Sequence, residues 1–138
     1  MNEQIIEFLT ELRSHNNREW FQDNKNRYDA LRKVFIDEVQ DLIGRISLFD
    51  PEVAGLEAKD CLFRIYRDIR FSPDKTPYKC HFAAYISQGG RASERGGYYI
   101  HLEPGEEQMT VRMRTDETSS GYIRSYRGIY GYYRGTYI

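Results

Sequence analysis

A chain of 138 residues with 40% apolar content can bury one modest core, and its length excludes two domains of ordinary size. Its 20 Lys and Arg against 21 Asp and Glu leave a formal net charge of −1. The totals therefore give no reason to expect a nucleic acid or a membrane surface as partner.

The charge is unevenly spread along the chain. Residues 1–60 carry 8 basic and 13 acidic side chains (net −5), residues 61–105 carry 7 and 4 (net +3), and the remainder 5 and 4. An acidic helical half joined to a basic half points to an anionic partner, although scattered solvated charge is the commoner cause of such asymmetry. Cys61 and Cys80 occupy apolar strand positions and make no disulfide framework. The segment MNEQIIEFLTEL has no basic n-region and no long apolar core, and no apolar run approaches membrane-spanning length. The expected setting is a reducing cytoplasm, with no membrane partner.

Ile5, Phe8, Leu9 and Leu12 recur at helical intervals and predict an amphipathic helix from about Glu3 to Arg13. Asn16 followed by Glu19 reads as a capping box opening the next helix. Trp20, Phe21 and Tyr28, then Leu31, Phe35, Val39, Leu42, Ile43 and Ile46, continue the apolar stripe, as one helix or as two meeting near Asn24. Asp50-Pro51 ends it.

Residues 51–60 read as a loop, after which the period switches to two. Cys61, Phe63, Ile65, Ile69 and Phe71 alternate with Leu62, Arg64, Tyr66, Asp68 and Arg70, which predicts a strand. Arg67 then falls on the apolar face, where its guanidinium must sit at the sheet's end or be paired. Ser72-Pro73-Asp74-Lys75-Thr76-Pro77 is a turn. Strands follow at Cys80–Ser87, Tyr98–Glu103 and around Met109, Val111 and Met113. Helices followed by an antiparallel meander define an α+β class, with N-terminal helices packed on an antiparallel sheet of about four strands. Phe63, Ile65, Phe71 and Phe82 are expected to be buried against Leu31, Phe35, Val39 and Leu42.

From Thr118 onward no acidic residue occurs, and six tyrosines interleave with Arg124, Arg127, Arg134 and four glycines. The expected domain is thus residues 1–115, helical over 1–50 and stranded over 61–114. Residues 116–138 form an Arg/Gly/Tyr-rich tail, either irregular or the truncated or frame-shifted end of a longer gene. An Arg/Gly/Tyr tail that stacks on single-stranded nucleic acid is a weaker reading.

The stretch Cys61–Ser87 concentrates Arg64, Arg67, Arg70, Lys75 and Lys79 against only Asp68 and Asp74. Arg64-x-x-Arg67-Asp68-x-Arg70-Phe71-x-x-x-Lys75-x-Pro77-Tyr78 resembles the signature of a bacterial family known as domain of unknown function 2461. Asn17-Arg18-Glu19-Trp20-Phe21 with Asn24-Lys25, and the run Tyr98–Gly105, resemble it too. The resemblance covers about residues 5–105 and implies a family protein without an assigned activity.

Guanidinium forks suit phosphate or carboxylate. Arg64, Arg67, Arg70, Lys75 and Tyr78 are therefore the expected anion-binding residues of a recognition module. Cross-strand ion pairs of Arg64 or Arg70 with Asp68 or Glu103 are the structural alternative. A second function is an enzyme acting on a phosphorylated or nucleotide-like substrate, with Asp68, His101 and Glu103 as acid and base. A third is a protein–protein interaction domain. His81, His101 and Glu103 contain the ligand types of a facial triad, but solvated strand histidines are the commoner case, so no metal and no cofactor are expected. Arg18 and Lys25 are expected to cap and solvate helices rather than flank the anion site.

Overall fold

The computed structural model describes residues 2–93, 96–105, 108–114 and 120–126, with side chains between Glu3 and Gly105 in those ranges. Helix α1 spans Asn2–Ser14 and buries Ile5, Phe8, Leu9 and Leu12 completely. Two further helices follow rather than one: α2 over Arg18–Asp23 and α3 over Lys25–Ile46. They meet at Asn24, whose backbone N–H donates to the carbonyls of Trp20 and Phe21, and whose side chain donates to Trp20 O at 2.9 Å. The cap of α2 is Asn17, one residue later than the expected capping box, and its Oδ1 accepts from Trp20 N at 2.8 Å.

Helix α3 carries the long stripe of Leu31, Phe35, Val39, Leu42, Ile43 and Ile46, all buried. Each such side chain contributes about 1.5–3 kcal/mol by leaving water. Residues 51–60 hold two single-turn 3-10 helices, Pro51–Val53 and Ala58–Asp60. Gln40 of α3 pins this stretch by donating to Leu56 O and accepting from Ala58 N.

Strands β1 (Phe82–Ile86), β2 (Gly97–Leu102), β3 (Gln108–Arg114) and β4 (Ser120–Tyr126) follow in the order β1-β2-β3-β4, each pair antiparallel. The α+β class is thus present. The tail expectation falls on residues of which only Ser120–Tyr126 are described, as backbone; 116–119 and 127–138 lie outside the described residues.

The strand expected from Cys61 does not form. Only Leu62 bridges to Ala84 and Tyr66 to Tyr78. Phe63 N donates to Ala83 O and Tyr85 N to Cys61 O, so the chain touches the outer edge of β1 briefly. It then leaves the sheet and pairs with its own return, Arg67 N to Pro77 O and Lys79 N to Ile65 O. Prolines at 73 and 77 offer no N–H to a ladder, and Asp74 Oδ1 accepts from both Thr76 N and Thr76 Oγ1, which fixes a turn instead. Alternation fails with the ladder: Ile65 and Phe82 are buried as expected, whereas Phe63 is 36% exposed and Phe71 93% exposed. No helix among the described residues is long and apolar enough to cross a membrane.

Candidate functional site

The basic residues of the Cys61–Lys79 ribbon separate into different roles. The Arg67 guanidinium is partly buried and closes the turn, with Nη1 2.8 Å from both Thr76 O and Thr76 Oγ1 and 3.3 Å from Asp74 Oδ2. This satisfies the charge that alternation had placed on an apolar face. Arg70 forks onto Asp68, with Nε–Oδ1 at 3.0 Å and Nη2–Oδ2 at 2.9 Å, and the bonds from Arg70 hold the Asp68 carboxyl below its usual range. Lys75 donates to Ile69 O at 2.7 Å. Tyr78 is buried and stacks on Phe21, with burial pushing its phenol up. Lys25 pairs with Asp29 one turn along α3.

Arg64 is different. Its side chain is exposed, and its guanidinium donates no hydrogen bond among the described residues. Lys79 reaches across the ribbon to donate to Arg64 O at 2.7 Å. Burial and then the like charge of Arg64 push the Lys79 ammonium down. A shallow, open hollow beside the turn takes Arg18 and Lys75, but Glu19 and Asp74 line it as well. Its charges cancel.

The second cluster lies on the sheet face opposite the buried side chains of Tyr98, Ile100 and Leu102. β1 and β2 pair with Phe82 opposite Leu102 and Ala83 opposite His101. Continuing that register one step sets His81 opposite Glu103. His101 Nε2 lies 3.1 Å from Glu103 Oε1, and His81 Nδ1 lies 3.7 Å from the same oxygen. The two imidazoles stack with centroids 4.4 Å apart. Tyr99 Oη is 2.9 Å from His101 Nδ1, and Arg13 Nη2 is 3.8 Å from Glu103 Oε2. Burial, then His101, push His81 down to about 4, against the pull of Glu103. Burial raises the Tyr99 phenol, so it remains protonated at neutral pH. One donor atom each from His81, His101 and Glu103 lie within 4.8 Å of one another, the geometry of a group able to hold a cation.

The structure therefore brings His101 and Glu103 together, while Asp68 is held by Arg70 on the separate ribbon. Arg13 is the part of this face that sequence reasoning missed. Strand alternation supplies Tyr99, which shares a face with His101 and Glu103. Nothing local in the sequence connects Arg13 to Glu103.

The fold and this site define a small α+β protein with a polar sheet-face cluster. The chain belongs to the family described as Conserved hypothetical protein (DUF2461), whose model matches residues 4–115. No curated protein and no solved structure matches it.

Proposed function

We propose that this protein recognises a small molecule bearing a phosphate or carboxylate group, held where Arg64 and Lys79 converge beside the histidine cluster. The observation that carries the reading is Lys79 Nζ donating to the Arg64 backbone carbonyl, which sets the ammonium in the field of the Arg64 guanidinium with no carboxylate hydrogen-bonded to either side chain among the described residues. Like charges brought together in this way lower each other's stability and favour an anion between them. Arg67, Lys75 and Tyr78, other residues of the expected anion site, act in this reading as supports that fix the ribbon presenting Arg64, while Arg70 is spent on the exposed fork to Asp68.

A second reading, an enzyme on such a substrate, is favoured by the chain Tyr99–His101–Glu103. A carboxylate on one imidazole nitrogen and a phenol on the other orient the ring for proton transfer.

Calorimetric titration with inorganic phosphate, nucleotides and short carboxylates tests the proposal. Arg64→Ala and Lys79→Ala should each weaken binding about tenfold, since a charge-assisted bond contributes about 1.5–3 kcal/mol. Arg70→Ala should leave it unchanged, and added salt should weaken it. Absence of binding to all of these anions at low salt would overturn the reading.

A further inference from the structure

We propose that His81, His101 and Glu103 bind one divalent first-row transition-metal ion, through two imidazole nitrogens and one carboxylate oxygen. The site is assembled by sheet register rather than by a local motif. His101 and Glu103 are two apart at the end of β2 and share a face, and the β1 register brings His81 against them from the neighbouring strand.

The spacing suits a single ion. Two ligand atoms bound at about 2.0–2.1 Å to one metal lie roughly 3–3.4 Å apart. His101 Nε2 and Glu103 Oε1 stand at 3.1 Å, His81 Nδ1 and Glu103 Oε1 at 3.7 Å, and all three donors lie within 4.8 Å. Small side-chain rotations close the widest pair.

The surroundings orient the ligands. Metal-binding imidazoles ordinarily donate their second nitrogen to an oxygen acceptor, which fixes the tautomer. Tyr99 Oη, 2.9 Å from His101 Nδ1, can accept that proton and leave the Nε2 lone pair facing Glu103. Arg13 stands by Glu103 Oε2, so Oε1 is the oxygen left for the ion. The three side chains keep 27%, 14% and 25% of their surface exposed, which gives an ion entry from solvent.

The donor set selects the class of metal. Two nitrogens and one carboxylate oxygen suit Zn2+ or Fe2+ better than Mg2+ or Ca2+, which prefer all-oxygen shells. Three protein ligands leave coordination positions for water or a ligand, as in reactive rather than purely structural sites. Lys79, whose charge acts on His81, disfavours a bare cation and favours one that also carries an anionic ligand. The metal proposal does not require that ligand and stands apart from the anion reading.

The test uses the full chain, stripped with a chelator and titrated with Zn2+ by calorimetry and with Co2+ by visible absorption, in phosphate-free buffer. One ion per chain is expected, with weak d–d bands and no thiolate charge-transfer band. His81→Gln, His101→Gln and Glu103→Gln should each lower affinity at least about tenfold, and Tyr99→Phe should lower it less. Cys80→Ser should bind like the wild type. Each variant is melted without metal; for one that does not fold, the cobalt spectrum and stoichiometry of the wild type decide alone. No saturable binding in the millimolar range, a thiolate band, or wild-type affinity in a folded Glu103→Gln variant would overturn the site.

Discussion

The ring of Tyr78 lies on that of Phe21, centroids 4.1 Å apart and planes 18° from parallel. The last residue of the arginine-rich motif is thus a core residue, anchored on α2 more than fifty positions earlier in the chain. Asn16 reinforces the join: its side chain donates to Tyr78 O at 2.9 Å and accepts from Tyr78 N at 3.1 Å. Tyr78→Ala should destabilise the protein by about 3–5 kcal/mol through lost burial and the cavity left behind. Tyr78→Phe keeps the stacked ring and should be close to neutral in the same thermal melt. A shift in Tyr78→Ala no larger than that of an exposed substitution would contradict the packing.

Two arginines three residues apart should behave oppositely. Arg67→Ala strips the Thr76 carbonyl and hydroxyl of their donor in a partly buried turn, and should cost about 1–3 kcal/mol. Arg70→Ala removes an exposed fork onto Asp68 and a contact over the exposed Phe71 ring, where solvent screening leaves little net stabilisation, so the midpoint in urea should not move. Equal effects from the two would show that the ribbon is held in some other way.

Glu38 offers a test of pH dependence. Burial raises its carboxyl above the usual range, and its Oε2 is buried with no hydrogen-bond partner among the described residues. An acid whose pKa is raised on folding binds its proton more tightly in the native state. Its contribution is therefore present below the unfolded pKa and is lost as pH rises through the folded one. Glu38→Gln should raise the melting temperature at pH 7 and change it little at pH 4. An equal shift at both values would assign the effect to packing.

Much of this architecture was legible because local periodicity and tertiary burial coincide. The stripe Ile5, Phe8, Leu9, Leu12 and the longer one on α3 read directly as helical faces, and His101-x-Glu103 read as a shared strand face. The segment from Cys61 failed because alternation predicts a strand only where a neighbour supplies the ladder, and Arg67 N and Lys79 N bond within the ribbon instead. Phe63 and Phe71 were misplaced for the same reason. The expected anion site lost its common face with the strand: Arg67 and Arg70 found intramolecular partners, and Tyr78 found the core. His81 was visible as a residue type, but its place opposite Glu103 depends on a register set across a loop of ten residues, 87–96.

Gly97 makes the β1–β2 pairing specific. A Cβ there would run into the Ile86 carbonyl oxygen and come within 2.8 Å of Ser87 Cβ. Gly97→Ala should separate the strands at their loop end, with a loss of about 1–3 kcal/mol. If the metal proposal is right, the same change should also weaken Co2+ binding by disturbing the register that brings His81 to Glu103.

The thiols should differ in reactivity. Cys61 is fully buried and burial pushes its thiol up to about 11, whereas Cys80 is only partly covered and accepts a weak bond from Asn16 Nδ2. Native protein at pH 8 should expose one titratable thiol, Cys80, and release the second only on unfolding. Rapid labelling of both in the native state would place Cys61 outside the core.

The irregular ribbon beside β1 also bears on how copies of the chain meet. A strand at the margin of a sheet presents unpaired donors and acceptors that can recruit another chain. Along β1 that margin is occupied by Cys61 and Phe63, and immediately beyond them the backbone turns away into a proline-bearing loop that cannot be extended by a further strand. What the protein forgoes in one regular strand it recovers as a guard against edge-on pairing along β1, and straightening the ribbon would open a route to aggregation at that edge.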